Sequence, residues 1–201
     1  MVLSLVVGGG WIATQGVDQP RSPGSFGEAS LDVTCVMMTG QCVFTAAERN
    51  PGEPLVWFLP PVMTEGASDG VLAAQAWIEG EVAGRYVALA CRVDSAGNEY
   101  VLAVRPENQS FRLIRWEGGV RTQLAGDRLP AVNRPANQAN DLRLECRGSM
   151  ISAFVNGTRV ATTDVSSAEG GWYLAAGIFA ENTQPASLTA HFDQIAMQPE
   201  G

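Results

Sequence analysis

The feature that most constrains this chain is a train of short segments in which apolar and polar residues alternate, broken by turn signals roughly every ten residues. The runs are Val71–Glu79, Arg85–Asp94, Glu99–Arg105, Ser110–Trp116, Val120–Leu124, Asp141–Arg147, Met150–Asn156, Thr158–Thr163, Trp172–Ala180 and Ser187–Ala196. Shorter candidates lie at Cys42–Thr45 and Leu55–Leu59, and no helical periodicity competes after Leu31. Period two places successive side chains on opposite faces, so each run can bury one face only. Many such strands with hairpin-length connections predict an all-β, two-sheet antiparallel sandwich.

The turns have their own chemistry. Asn156-Gly157 sits between two alternating runs, and both residue types tolerate the positive φ of a type I′ hairpin. Asp94-Ser95-Ala96-Gly97-Asn98 and Glu117-Gly118-Gly119 supply two more hairpin turns, so an antiparallel meander is expected.

Charge narrows function. The 201 residues carry a net charge of −8, and all 13 basic residues are arginines, scattered along the chain. That balance lacks the basic footprint that nucleic acid requires, and it disfavours an anionic lipid surface. Four cysteines (Cys35, Cys42, Cys91, Cys146) and one histidine, His191, show no metal-ligand spacing. An even count of this kind points to two disulfides and an extracytoplasmic location, with four buried thiols as the alternative. In Val87, Leu89, Cys91, Val93 and in Leu142, Leu144, Cys146 the thiol shares the apolar face. Both sulfurs therefore point into one core, which brings a Cys91–Cys146 bridge within geometric reach. Cys35 and Cys42 would then close a small local loop.

Residues Met1 to Val17 carry no charged side chain. As a helix of about 1.5 Å per residue the stretch is at the short limit for crossing a bilayer, and it lacks the basic start and cleavage site of a signal peptide. A retained membrane anchor or an assembly helix packed on partner chains is the expectation for 1–17, with a first strand of the sandwich as the alternative. Residues 18–30, rich in Pro, Gly and Ser, read as a linker, and 31–201 as the sandwich.

Four stretches, ALACRVDSAGNEYVLAVRPENQSFRLIRW, NDLRLECRGSMISAFVNGTRVATTD, GGWYLAAGIFAEN and HFDQIAM, occur in that order between Val71 and Met197. With these stretches the chain resembles a laminin-G-like member of the concanavalin A-like lectin/glucanase superfamily, in the form found as an exported module of bacterial envelope proteins and on the outer side of some membrane receptor kinases. The resemblance implies a jelly roll in which Cys91 and Cys146 pair. It also implies a surface that binds glycan.

Candidate ligand contacts are Trp116 beside the Gly118-Gly119 turn, Arg112 on the same alternating face, Tyr100 and Trp172. For Trp116 the competing expectation is packing on a neighbouring strand under Arg112. No Glu-x-Asp-x-x-Glu strand supplies the carboxylate pair of a retaining glycosidase, and Glu79 and Glu81 read as solvated turn residues. His191 and Asp193 share a face without a nucleophile elbow, which predicts a simple surface pair. Asp164 and Asp193 lie in no calcium-binding loop. The sequons at Asn108 and Asn156 read as incidental. The expectation is therefore a non-catalytic binding module without cofactor or metal. A structural accessory subunit of a membrane complex or filament, joined through Met1–Val17, is the alternative. A glycoside-acting enzyme ranks third.

Overall fold

The computed structural model describes residues 5–7, 10–14, 31–36, 41–49, 55–58, 69–94, 96–135, 137–165, 170–178 and 186–199. Fifteen strands run in chain order: β1 Leu5–Val7, β2 Gly10–Thr14, β3 Leu31–Val36, β4 Gln41–Arg49, β5 Leu55–Phe58, β6 Gly70–Glu79, β7 Arg85–Val93, β8 Glu99–Arg105, β9 Ser110–Glu117, β10 Val120–Arg128, β11 Asn140–Arg147, β12 Met150–Val155, β13 Thr158–Asp164, β14 Gly171–Ile178 and β15 Ala186–Pro199. They form a nine-stranded sheet A, ordered β1-β2-β3-β4-β15-β6-β11-β12-β13, and a six-stranded sheet B, ordered β10-β9-β8-β7-β14-β5. The result is the expected antiparallel sandwich. The C-terminal strand closes it by inserting between β4 and β6.

Alternation builds the core between the sheets. Leu72, Ile78, Leu142, Leu144 and Phe192 from sheet A meet Leu89, Leu102, Leu113, Trp172 and Leu174 from sheet B, all buried. Cys91 of β7 and Cys146 of β11 are bonded across this core. Cys42 is also disulfide-bonded and stands opposite Cys35 in the β3–β4 register, while the Cys35 side chain lies outside the described residues.

The turns follow their sequence chemistry. Asn156 (φ 48°) and Gly157 (φ 77°) both adopt the left-handed region at the β12–β13 hairpin. Asp94 closes the next turn through its carboxylate, which accepts the Ala96 and Asn98 backbone N–H groups at 2.9 Å each.

Four differences from the sequence reading have physical causes. Leu5–Val7 and Gly10–Thr14 are strands that extend the edge of sheet A, so of the alternatives for the N-terminal stretch the strand is found there in place of a helix. The rest of 1–17 and the 18–30 stretch lie outside the described residues. Among those described, no helix is long and apolar enough to cross a membrane. β10 continues past Leu124 to Arg128, because a register irregularity between Gln123 and Ala125 lets it follow β9 to its end. Alternation in β7 breaks at Arg92, whose φ of 55° shifts the register against β14. Val93 therefore joins the outer face, and Arg92 reaches across to sheet A, where it pairs with Asp69 at 3.0 Å and the Gly148 carbonyl.

His191 differs as well. Its Nε2 lies 2.7 Å from Glu79 Oε2 on the adjacent strand, and its ring stacks on Trp77 with centroids 4.7 Å apart. Asp193 instead accepts the backbone N–H of Gln194 at 2.7 Å. The local turn there, marked by the positive φ of Gln194, draws the Asp193 carboxylate to its own backbone.

Candidate functional site

The outer face of sheet B holds a second apolar cluster, separate from the core. Its floor is made of small residues. Ala103 of β8 stands opposite Ala88 of β7, and Ala88 opposite Ala175 of β14. Ala90 and Val101 form the next row, and Tyr86, Ile114, Trp116 and Tyr173 pack on the same cluster. A floor without bulk leaves depth over it for the large side chains of neighbouring rows.

Polar groups converge on that floor. Glu99 alternates with Val101 and Ala103, so it shares their face, and it stands directly opposite Trp116 in register. Trp116 in turn stands opposite Arg121 on β10, and Arg112 joins Trp116 on the same face of β9. Tyr86 starts several rows away, yet it feels the charges of both Glu99 and Arg121.

Glu99 is only 2% exposed, and its Oε2 has no hydrogen-bond partner. Burial first, and then the nearby charge of Asp94, push its carboxyl up to about 8, so it holds its proton at neutral pH. Burial would raise Asp94 too, but hydrogen bonds from Asn98 and Ala96 hold that carboxyl below its ordinary value. Burial, reinforced by the Glu99 charge and partly offset by Arg121, raises the Tyr86 phenol. Burial alone raises Tyr173. Two carboxyls of unlike protonation thus sit at one end of the face. The loop bearing Asp94 is fastened there, because the Gly118 N–H donates to Asn98 Oδ1 at 3.0 Å.

Of the four residues singled out in the sequence, the structure brings two together. Trp116 and Arg112 share this face, both half-buried, and Trp116 packs on the cluster as its competing expectation required. Tyr100 (4% exposed) and Trp172 (0%) lie in the core between the sheets, which leaves them no surface for a ligand. Tyr100 falls on the inward phase of β8, and Trp172 on the inward phase of β14 with Leu174, Ala176 and Ile178. Sequence reasoning passed over Glu99, Tyr86, Tyr173 and Arg121. The available signal was a lone carboxyl in phase with Val101 and Ala103 in the run EYVLAVR.

No protein-family model and no curated protein matches the chain. Solved structures do. The carbohydrate-binding module CBM66 from Bacillus subtilis superposes with a TM-score of 0.55 at 14% identity, over 85% of this chain and 92% of that one. A Bacillus licheniformis β-glucanase gives 0.55 at 12% identity, over 79% and 72%. The GH16 of the Bacteroides ovatus mixed linkage glucan PUL, solved in complex with its G4G4G3G product, gives 0.55 at 9% identity, over 84% and 85%. A β-glucanase built on this sandwich overturns the expectation that the chain is not an enzyme. The missing Glu-x-Asp-x-x-Glu strand excluded one arrangement of carboxylates, not the fold's capacity for hydrolysis. At these identities the likeness is one of architecture: the chain has the two-sheet jelly-roll fold of these proteins.

Proposed function

We propose that this chain is an extracytoplasmic glycan-recognising domain whose ligand lies against the outer face of sheet B. One observation carries the reading. Trp116, half-buried, packs on a face floored by Ala88, Ala103 and Ala175, with Arg112 on the same face of β9. A partly exposed aromatic ring beside a polar side chain is what a sugar uses, stacking its C–H face on the one and hydrogen-bonding to the other. The Cys91–Cys146 bond supports an oxidising compartment. The likeness to a carbohydrate-binding module and to glucanases supports the ligand class.

The test is a glycan array probed with the folded chain and with Trp116→Ala, alongside circular dichroism to verify the fold of both. Specific binding that the variant loses is expected. A blank array with folded protein would sink the reading.

A further inference from the structure

β13 ends sheet A, and no described strand covers its outer edge. Thr158, Arg159, Thr162 and Asp164 are exposed along it. One hydrogen bond fixes which backbone groups face that edge: the Val165 N–H donates to the Ser149 carbonyl at 2.7 Å. In an antiparallel pair, alternate residues turn both backbone groups toward the same neighbour. Ala161 and Thr163 therefore bond toward β12, while Thr162 and Asp164 offer N–H and C=O to the open edge. Edge strands are commonly guarded by charges along their length. Between Arg159 and Asp164, β13 carries only Val160, Ala161, Thr162 and Thr163, whereas β10, at the corresponding edge of sheet B, carries Arg121, Asp127 and Arg128.

The side chains of this edge complement themselves. Arg159 stands opposite Phe154, Thr162 opposite Ser152 and Asp164 opposite Met150, in alternation with the buried Ile151, Ala153 and Val155. All three thus lie on the outer face of sheet A. Val160 is an extra residue in the register, a bulge that packs with Ala161 on the core. Neither Arg159 nor Asp164 has an ionic partner among the described residues.

We propose that β13 pairs antiparallel with β13 of a second copy of this chain, about a two-fold axis at Thr162, so that sheet A continues across a homodimer. Thr162 then meets its own copy as a hydrogen-bonded pair, and Ala161 meets Thr163 of the second copy on the inner face. Asp164 falls opposite the bulge at Arg159 and Val160. Because a bulge sets two residues against one, this register keeps every side chain on its own face. The two-fold makes the ionic contact twice, Arg159 of each copy against Asp164 of the other, and opposite charges across a strand pair attract. One strand pair is small against the about 1,200–2,000 Å² of a stable interface, so the association is reversible. An axis perpendicular to the sheets leaves both outer faces of sheet B on one side. With the glycan reading above, the dimer grips a polymer at two points.

Sedimentation equilibrium tests the pairing at about 0.15 M salt, where the −8 of each copy is largely screened beyond about 8 Å. A monomer–dimer equilibrium is expected between about 1 µM and about 1 mM. Thr162→Pro removes the outward N–H at the axis, a change that an edge strand tolerates. That variant should be folded by circular dichroism and monomeric. Arg159→Glu should weaken the dimer about tenfold or more, since two attractions become two repulsions. Arg159→Glu combined with Asp164→Arg should restore it, because each copy again supplies both halves of the pair. A chain that stays monomeric up to about 1 mM overturns the proposal. So does a dimer that Thr162→Pro and Arg159→Glu leave intact, or a double variant no tighter than Arg159→Glu alone. Should Thr162→Pro fail to fold, the charge series decides alone. A dimer that binds no glycan upholds the pairing and removes only its bivalence.

Discussion

Cys91 of β7 and Cys146 of β11 are bonded across the sandwich, with 55 residues of sequence separation between them. Each belongs to a different sheet, so the bond ties sheet A to sheet B in the middle of the apolar layer. The loop it closes contains β8, β9 and β10, the strands that carry Glu99, Trp116 and Arg121. The face proposed to bind glycan therefore hangs on a covalent loop.

Closing a loop of that length removes chain entropy worth about 4 kcal/mol from the unfolded state. The double variant Cys91→Ala/Cys146→Ala should lose stability on that scale in urea denaturation. An unchanged midpoint would show that packing between the sheets suffices without the bond.

Glu99 predicts a dependence on pH. Its carboxyl titrates near 8 in the folded chain against an ordinary value of 4.5. Between those values the folded protein keeps a proton that the unfolded chain has released, so stability falls as pH rises through the window and levels off above it. Thermal melts of the wild type should show that fall, and Glu99→Gln should flatten it and be the more stable protein at pH 8. A variant curve parallel to the wild type would place the titration elsewhere.

What the sequence disclosed and what it hid divide along range. Asn156-Gly157 and Gly118-Gly119 declare their turns because backbone conformation there is a property of the residues themselves. Alternation placed Cys91 and Cys146 toward one core because period two is local geometry. It also set Trp116 and Arg112 on one face. It failed where one residue changes the phase: the Arg92 conformation moved Val93 outward. Nor could it show that β15 lies between β4 and β6, or that His191 meets Glu79, since those pairings join distant parts of the chain. The meaning of Glu99 was hidden for the same reason. Its burial and its neighbour Trp116 exist only once β8 and β9 are paired.

Asn156 serves as more than a turn former. Its Nδ2 donates to the Val132 carbonyl at 2.6 Å and to Asn140 Oδ1 at 2.7 Å, and its Oδ1 accepts the Asp141 N–H at 2.9 Å. The side chain thus fastens the 129–140 segment to the β12–β13 hairpin. Asn156→Ala should cost about 3 kcal/mol, from the lost hydrogen bonds and the positive φ together. Asn156→Gly should recover about 1 kcal/mol of this, because only the backbone strain is relieved. Equal losses would mean that the hydrogen bonds carry the whole effect. Because both amide hydrogens are committed, the Asn156-Gly157-Thr158 sequon should also stay unmodified in a glycosylating host, as mass spectrometry can verify.

Two glycines separate steric crowding from backbone strain. A Cβ on Gly170 would sit 2.3 Å from the Arg92 carbonyl carbon and 2.6 Å from the Val93 nitrogen, both backbone atoms that cannot swing aside. The crowding arises because the Arg92 irregularity brings β7 against the start of β14, and Arg92 is itself held by Asp69. Gly148 is the contrasting case, with a φ of 52° and open space where its Cβ would go. Gly148→Ala should therefore cost only about 1 kcal/mol, from conformation alone. Gly170→Ala should cost about 3 kcal/mol or more, because a strand must move. It should also speed amide exchange at Val93 and Tyr173, the positions flanking the shifted register. If the two alanine variants proved equally stable, the packing of β7 on β14 would be looser than these distances require.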